Sequence, residues 1–401
     1  MYLSFSVLAV FGLAAFVLAL YRPHFAILLP VVFHSTYLIK SSLGIIPTTG
    51  LEVLIIATVT PVLFLKRSEI LGFIKERKIF LVLALIFIFS STVSAIIAPH
   101  AHTAWGAWKA LISEPIIYAI VLVSISKNKN KIIYSILIGA LFSAILSSCV
   151  ANWGEGFDRL RGIYDVSNSL ALIVAPAFVL SVVLILLERK KIYWLSSLIL
   201  GMVLLATQSL SGLFSVVVTS GLAFVLVRAR KVATAFIILL ILIGLIWQFN
   251  SGKLAYLLNG SSSVIARKQI WAVSLLLVKE NALWGTGLGT FEPAYQAELR
   301  NILGKGGKIL GSDKPLEWVV RDPHNIFLSF WLNTGLLGLT SMCALAVVGL
   351  GNFIKKIKFK PTSLLAAAFS FILLLIFGLA DVPYWKNDLA LVWWVLLSLL
   401  W

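Results

Sequence analysis

Charge is what this sequence has least of. Only 12% of its 401 residues are Asp, Glu, Lys or Arg, while 60% are hydrophobic. A soluble domain of this length needs far more polar surface to cover itself. Acidic residues are scarcer still, 16 against 33 basic ones, and no Asp-x-Asp pair occurs. A divalent ion held by paired carboxylates therefore lacks its sequence marker. The two cysteines, Cys149 and Cys343, lie inside apolar runs, which argues against a disulfide framework or a thiolate metal site. Only five histidines are present. Two of them, His100 and His102 in "HAH", have a spacing that can ligate a metal, but no cysteine or carboxylate cluster stands near them. No strand–turn–helix elbow surrounds a serine, which discounts a serine hydrolase.

Long apolar runs are what the chain has instead. "ATAFIILLILIGLIWQF" (233–249) and "TSLLAAAFSFILLLIFGLA" (362–380) each approach the ~20 residues that a helix needs to cross the hydrocarbon core. The expected fold is all-α, a polytopic transmembrane helical bundle of about 12 spans in one integral membrane domain over residues 1–401. The first run, 2–20, reads as a retained span, since it has no basic start and no small-residue cleavage site. Further spans are expected over 24–43 and 48–65, one of them re-entrant or merged around "GIIPTTG".

The formal charge of +17 raises the question of nucleic acid, but the basic residues sit in short loops. The loops 66–78, 126–131, 188–191, 228–231 and 355–360 hold 18 of the 33 Lys and Arg against three acidic residues. By the positive-inside rule these face the cytoplasm, and no nucleic-acid partner is implied. The loops at 99–109, 152–167, 250–323 and 381–388 then face outward. Residues 250–323 form the one large outward loop, with an amphipathic helix near 264–279 suited to the membrane interface. Its "GTGLG" (285–289) lacks a preceding strand and a Gly-Lys-Ser/Thr ending, so it reads as a tight turn before it reads as a phosphate loop.

The unusual polar residues fall on the outward side. His24 and His34 lie in or beside early spans and read as structural histidines. His324 differs: in "RDPHN" (321–325) it stands where the chain enters a long apolar helix. A neutral imidazole there can accept a proton at the water–lipid boundary. Position alone leaves equally open a helix-start residue that satisfies backbone groups. Arg159 and Arg161 flank Leu160 shortly before Asn168, and Arg267 opens the amphipathic helix. Arginine's planar fork matches phosphate oxygens and stays charged, although an interfacial arginine also partners lipid headgroups. Glu52 and Glu114, in or at the edge of spans, are candidates to line an internal cavity.

These residues carry a resemblance. "HNIFLSFWLNTGLLGL", with His324-Asn325 followed by nine residues and then Gly335, resembles a hallmark of the O-antigen ligase and polymerase superfamily of bacterial membrane glycosyltransferases. "RGIYDVSNSLA" (161–171) and "RKQIWAVSLLLVKENALWGTGLGTFEPAY" (267–295) are similar to two further stretches of that family. Two positions depart from its pattern: Ser167 stands where proline is frequent, and Leu210 where an arginine is expected.

The resemblance implies a GT-C-like fold in the bacterial inner membrane with its site facing the periplasm. It also implies glycan transfer from an undecaprenyl-pyrophosphate donor to an acceptor, without a metal or other cofactor. The acceptor is lipid A–core in a ligase and another lipid-linked glycan in a polymerase; the compact chain and modest loop favour the ligase. His324 would be the general base, and Arg161 and Arg267 would hold the pyrophosphate. Arg159, Arg321, Asp322, Asn325 and Asn168 stand second to these. A lipid-linked glycan flippase is the rival from another class, but it calls for a charged path, and the spans between 168 and 249 are almost free of charge.

Overall fold

Apolar runs become helices here because a chain in lipid must satisfy its own backbone N–H and C=O groups. The structure, a computed structural model, describes residues 5–43, 46–154, 159–227, 238, 262–357 and 363–401. Among the described residues, five helices are long and apolar enough to cross a membrane: Lys78–Ile97, Ala101–Ile125, Lys129–Val150, Ser167–Glu188 and Ile326–Lys355. Shorter apolar helices, among them Gly50–Leu65, Lys191–Thr207, Leu364–Phe377 and Asn387–Leu400, pack with them. The span expected at 233–249, apart from Ile238, and the loop residues 250–261 lie outside the described residues.

The strictly all-α expectation needs two corrections. Residues 24–43 are not one spanning helix. They break into helical turns at Pro23–Ala26 and Leu29–Val32, a 3₁₀ turn at His34–Leu38 and the strand β1, Lys40–Leu43. Two prolines in eight residues remove helix donors, and the polar stretch beyond them favours a hairpin, so β1 pairs antiparallel with β2, Ile46–Thr49. A second, minimal hairpin pairs β3, Trp153–Gly154, with β4, Arg159–Leu160.

Ser167–Glu188 is the central helix, buried along nearly its whole length. It packs against Lys129–Val150, Lys191–Thr207, Leu210–Val227 and Leu364–Phe377. Beside it, the buried Asn387–Leu400 helix contributes Trp393 and Trp394 to an aromatic core with Phe87, Phe330 and Tyr384. The stretch from Ser262 to Val320 builds a small core of its own. Ser262–Glu280 buries Ala266, Ile270, Val273 and Leu277 at helical spacing, as its pattern predicts. Phe291–Gly304, which periodicity had not picked out, buries Phe291, Tyr295 and Leu299 against it.

The Ile326–Ile357 helix runs along Lys78–Ile97 and breaks at Gly335 (φ 69°, ψ 179°). A Cβ there would stand 2.1 Å from the Leu283 carbonyl oxygen, so only glycine fits. Several groups freed by the break find partners in other segments. Leu336 N–H donates to the carbonyls of Ala282 and Leu283, and Thr286 N–H donates to Leu332. The Ser94 and Ser90 hydroxyls donate to the carbonyls of Asn333 and Thr334. The "GTGLG" stretch is therefore a turn moulded onto a broken helix, with positive φ at Gly285, Gly287 and Gly289.

The two ends of the bundle differ. One end holds contacts such as Lys129 with Val123, Ser363 with Asn130 and Tyr134 with Glu188, beside the short basic loops. The other gathers Arg159, Asn168, Thr207, His324 and Asp381.

Candidate active site

His324 sits immediately before the broken helix in a left-handed backbone conformation (φ 47°). A non-glycine residue held there stores strain, and its surroundings must impose it. They do so from several sides. Asp322 Oδ1 accepts from the His324 backbone N–H at 3.1 Å, and Trp271 Nε1 donates to the Pro323 carbonyl at 2.9 Å. Asn325 caps the helix, its Oδ1 accepting from Phe327 and Leu328 N–H, while its Nδ2 reaches the Leu379 carbonyl. Ile326 N–H donates to the Gly378 carbonyl at 2.7 Å. The segment is thereby tied to the turn that carries Asp381.

The imidazole lies between two carboxylates. Its Nδ1 is 3.7 Å from Asp322 Oδ1 and 3.8 Å from Asp381 Oδ1, within ion-pair reach but beyond a hydrogen bond. Nδ1 is buried and makes no hydrogen bond. Asp381, 8% exposed, is held in turn by Val382 N–H and by Asn168 Nδ2 at 2.9 Å. Asn168 Oδ1 accepts from Arg159 at 2.6 Å, and Arg159 Nε donates to the Thr207 carbonyl. A polar chain thus runs from Arg159 through Asn168 and Asp381 to His324.

Burial opposes charge on the imidazole, but Asp381 and then Asp322 outweigh it, so His324 titrates above an ordinary histidine. Asp381 is held below the usual carboxylate range: burial works against its charge, and His324 and the Val382 N–H overcome it. Asp322 goes the other way, since burial and the Asp381 charge raise it more than His324 lowers it. Lys386, hydrogen-bonded to Ser169, places positive charge near Asp322, and Arg267 does so near His324 and Asp381.

The structure therefore gathers most of the residues singled out by sequence. Arg159, Asn168, Asp322, Asn325 and Arg267 all lie in or beside the His324 environment. Arg161 is set apart: it donates to Asn152 and lies over Gly154, and its buried Nε has no partner. Arg321 is exposed. Asn325 serves the backbone as a helix cap.

Asp381 and Lys386 were missed. Both stand in "DVPYWKND", and two aspartates in one short loop of a chain so poor in acid were the available signal. Tyr384 from the same loop is fully buried and donates to the Leu111 carbonyl, inside the π-helical segment Trp108–Ser113. That bond anchors the loop carrying Asp381.

Other candidates have structural roles. Glu52 forms a capping box with Thr49 and an ion pair with Lys109 at 3.3 Å. His34 is buried with both ring nitrogens partnered, by Val31 and Ser143. Among the described residues, the one group of His and acidic atoms close enough to hold a metal is Asp322, His324 and Asp381, within 4.8 Å of one another.

A comparison with protein families finds that residues 195–343 match the family model described as O-antigen ligase. A search of curated proteins finds no match. The matched stretch is less than half of the chain; it holds Arg267, His324 and Gly335, and ends before Asp381.

Proposed function

From the match of residues 195–343 to the O-antigen ligase family model, we propose that this protein is a membrane glycosyltransferase of the ligase type. It moves a glycan from an undecaprenyl-pyrophosphate donor to a hydroxyl of a lipid A–core acceptor. The end of the bundle that carries His324 faces the periplasm, opposite the basic loops.

The observation that carries this reading is the imidazole set between Asp322 and Asp381. With both carboxylates on the Nδ1 side, Nε2 is the nitrogen left to take the acceptor's proton. The acceptor oxygen then attacks the anomeric carbon, the bond to the pyrophosphate oxygen breaks, and undecaprenyl pyrophosphate leaves. Asp381 stabilises the imidazolium that forms, and Asn168 and Arg159 keep Asp381 ionised and in place. Charge growing on the leaving pyrophosphate calls for a fixed cation, and Arg267, beside His324 and Asp381, supplies one. No metal is required in this scheme.

His324→Ala tests it. Glycan attachment should fall by about two to four orders of magnitude, the usual worth of a general base, with membrane accumulation and detergent stability near wild type. Near-normal product would remove His324 from catalysis. Product analysis in the parent protein separates ligase from polymerase: glycan on lipid A–core marks the first, and lengthened lipid-linked glycan the second.

A further inference from the structure

We propose that a groove at the basic-loop end of the bundle holds one anionic phospholipid of the cytoplasmic leaflet. Its occupation depends on the membrane setting alone and not on glycosyl transfer, so either can fail without the other.

The groove exists because the chain after the first helix does not form a full span. Prolines at Pro23 and Pro30 leave only the short helical pieces Pro23–Ala26 and Leu29–Val32. Leu29–Val32 packs on the Lys129–Val150 helix. The two meet closely at Gly139, where a Cβ would stand 2.5 Å from the Val31 carbonyl oxygen. Toward the loop end a concavity of about 770 Å³ separates them, within the ~300–1,000 Å³ usual for small-molecule sites.

Its walls are graded from polar to apolar. Lys131, Tyr134, Ser135 and Ile138 line one wall, at the i, i+3, i+4, i+7 spacing of a single helix face. That spacing carries the wall about 10 Å from a cation to an aliphatic side chain. Opposite, Arg22 and His24 stand at the loop end, and Leu28, Val32 and Phe33 lie deeper. Tyr21 and Tyr134 border the polar end, as tyrosines do at headgroup level.

Three basic residues thus share one mouth, and no acidic residue lines the groove. Arg22, His24 and Lys131 are exposed and form no ion pair with any described residue. Tyr134 touches Glu188, but Lys190 at 2.7 Å and Tyr193 at 2.8 Å already engage that carboxylate. A cationic mouth over an apolar trough selects a phosphate head joined to an acyl tail. A zwitterionic headgroup would bring an ammonium too, and the groove offers it no carboxylate. An anionic phospholipid sets its phosphate between Arg22 and Lys131 and its upper methylenes against Leu28, Val32 and Ile138. By the positive-inside rule this end lies in the cytoplasmic leaflet, opposite His324.

Native mass spectrometry of the full-length protein in detergent tests this, with dioleoyl phosphatidylglycerol and dioleoyl phosphatidylethanolamine as probes. At equal concentration phosphatidylglycerol should be retained at least about tenfold more. Equal retention would overturn the site. The Arg22→Gln/Lys131→Gln double variant should lose the preference. Lys75→Gln/Lys78→Gln, an equal change of charge at exposed positions of another loop, should keep it. Like losses in the two would mark bulk surface charge and overturn the site as well.

Ile138→Trp, at a position 52% exposed, fills the trough without altering charge. It should weaken phosphatidylglycerol retention about tenfold. Unchanged retention would remove the tail from the groove. Inorganic phosphate should displace the lipid no more than chloride does at equal ionic strength. Specific displacement by phosphate would replace the phospholipid with a soluble anion and overturn the proposal.

Discussion

At the scale of single residues, the site depends on one imidazole whose basicity is set by its neighbours. His324 titrates above ordinary histidine because Asp381 and Asp322 favour its charged form. Only the neutral form can act as base, so kcat/KM should fall as pH drops through a value above the ordinary ~6.5. Asp381→Asn removes one favouring charge without changing the side chain's size. The acid limb of the profile should then move to lower pH, and the rate at its plateau should drop at least about tenfold, because the imidazolium loses its counter-charge. A profile that keeps its acid limb while the rate falls would make Asp381 a structural residue only.

At the scale of elements, the break at Gly335 decides where His324 stands. Residues 326–334 between them form a short helix whose far end is locked to the Ala282–Thr286 turn. Gly335→Ala would put a side chain into backbone, in a region of φ and ψ that only glycine adopts. A loss of about 3 kcal/mol or more is expected, read as a large fall in detergent melting temperature. Gly351, in the same helix, has no atom within 4 Å of the position its Cβ would take. Gly351→Ala should therefore be neutral or stabilising by up to about 1 kcal/mol. Similar melting of both variants would show that the break is not required.

The spacing of His324, Asn325 and Gly335 is legible from sequence, because each is a distinct residue type at a fixed interval. The reason for it is not. Asn325 proved to be a helix cap and Gly335 a contact with a turn some fifty residues earlier. Likewise Arg161 was ranked above Arg159 on motif alone. Arg159 reaches Asn168 whereas Arg161, just past the strand, turns to Asn152, and that emerges only once the hairpin pairs.

At the scale of the whole molecule, the balance of charge predicts how the reaction is run. Basic residues outnumber acidic ones two to one, and cations approach the site from separate elements: Arg159, Arg267 and Lys386. Asp322, His324 and Asp381 could meet at a metal, but the cations around them offset the negative charge that would draw one. Purified protein supplied with lipid-linked donor and acceptor should keep its activity in excess EDTA. Loss on chelation, with recovery on adding Mg²⁺ or Mn²⁺, would assign those three side chains to an ion instead.

What the sequence by itself determined is what depends on composition and local pattern: a helical membrane chain, the basic loops, the His324 helix mouth and the family model that residues 195–343 match. These follow from the solvent, since lipid admits few structures and each leaves a strong one-dimensional trace. Only the tertiary structure decided that Asp381, 57 residues beyond His324, stands 3.8 Å from its ring, and that Arg159 reaches it through Asn168. Contacts between distant segments are set by how helices pack and where they break, and neither leaves a period in the sequence. The site lies where several helix ends meet, so its members are close in space because the bundle closes there.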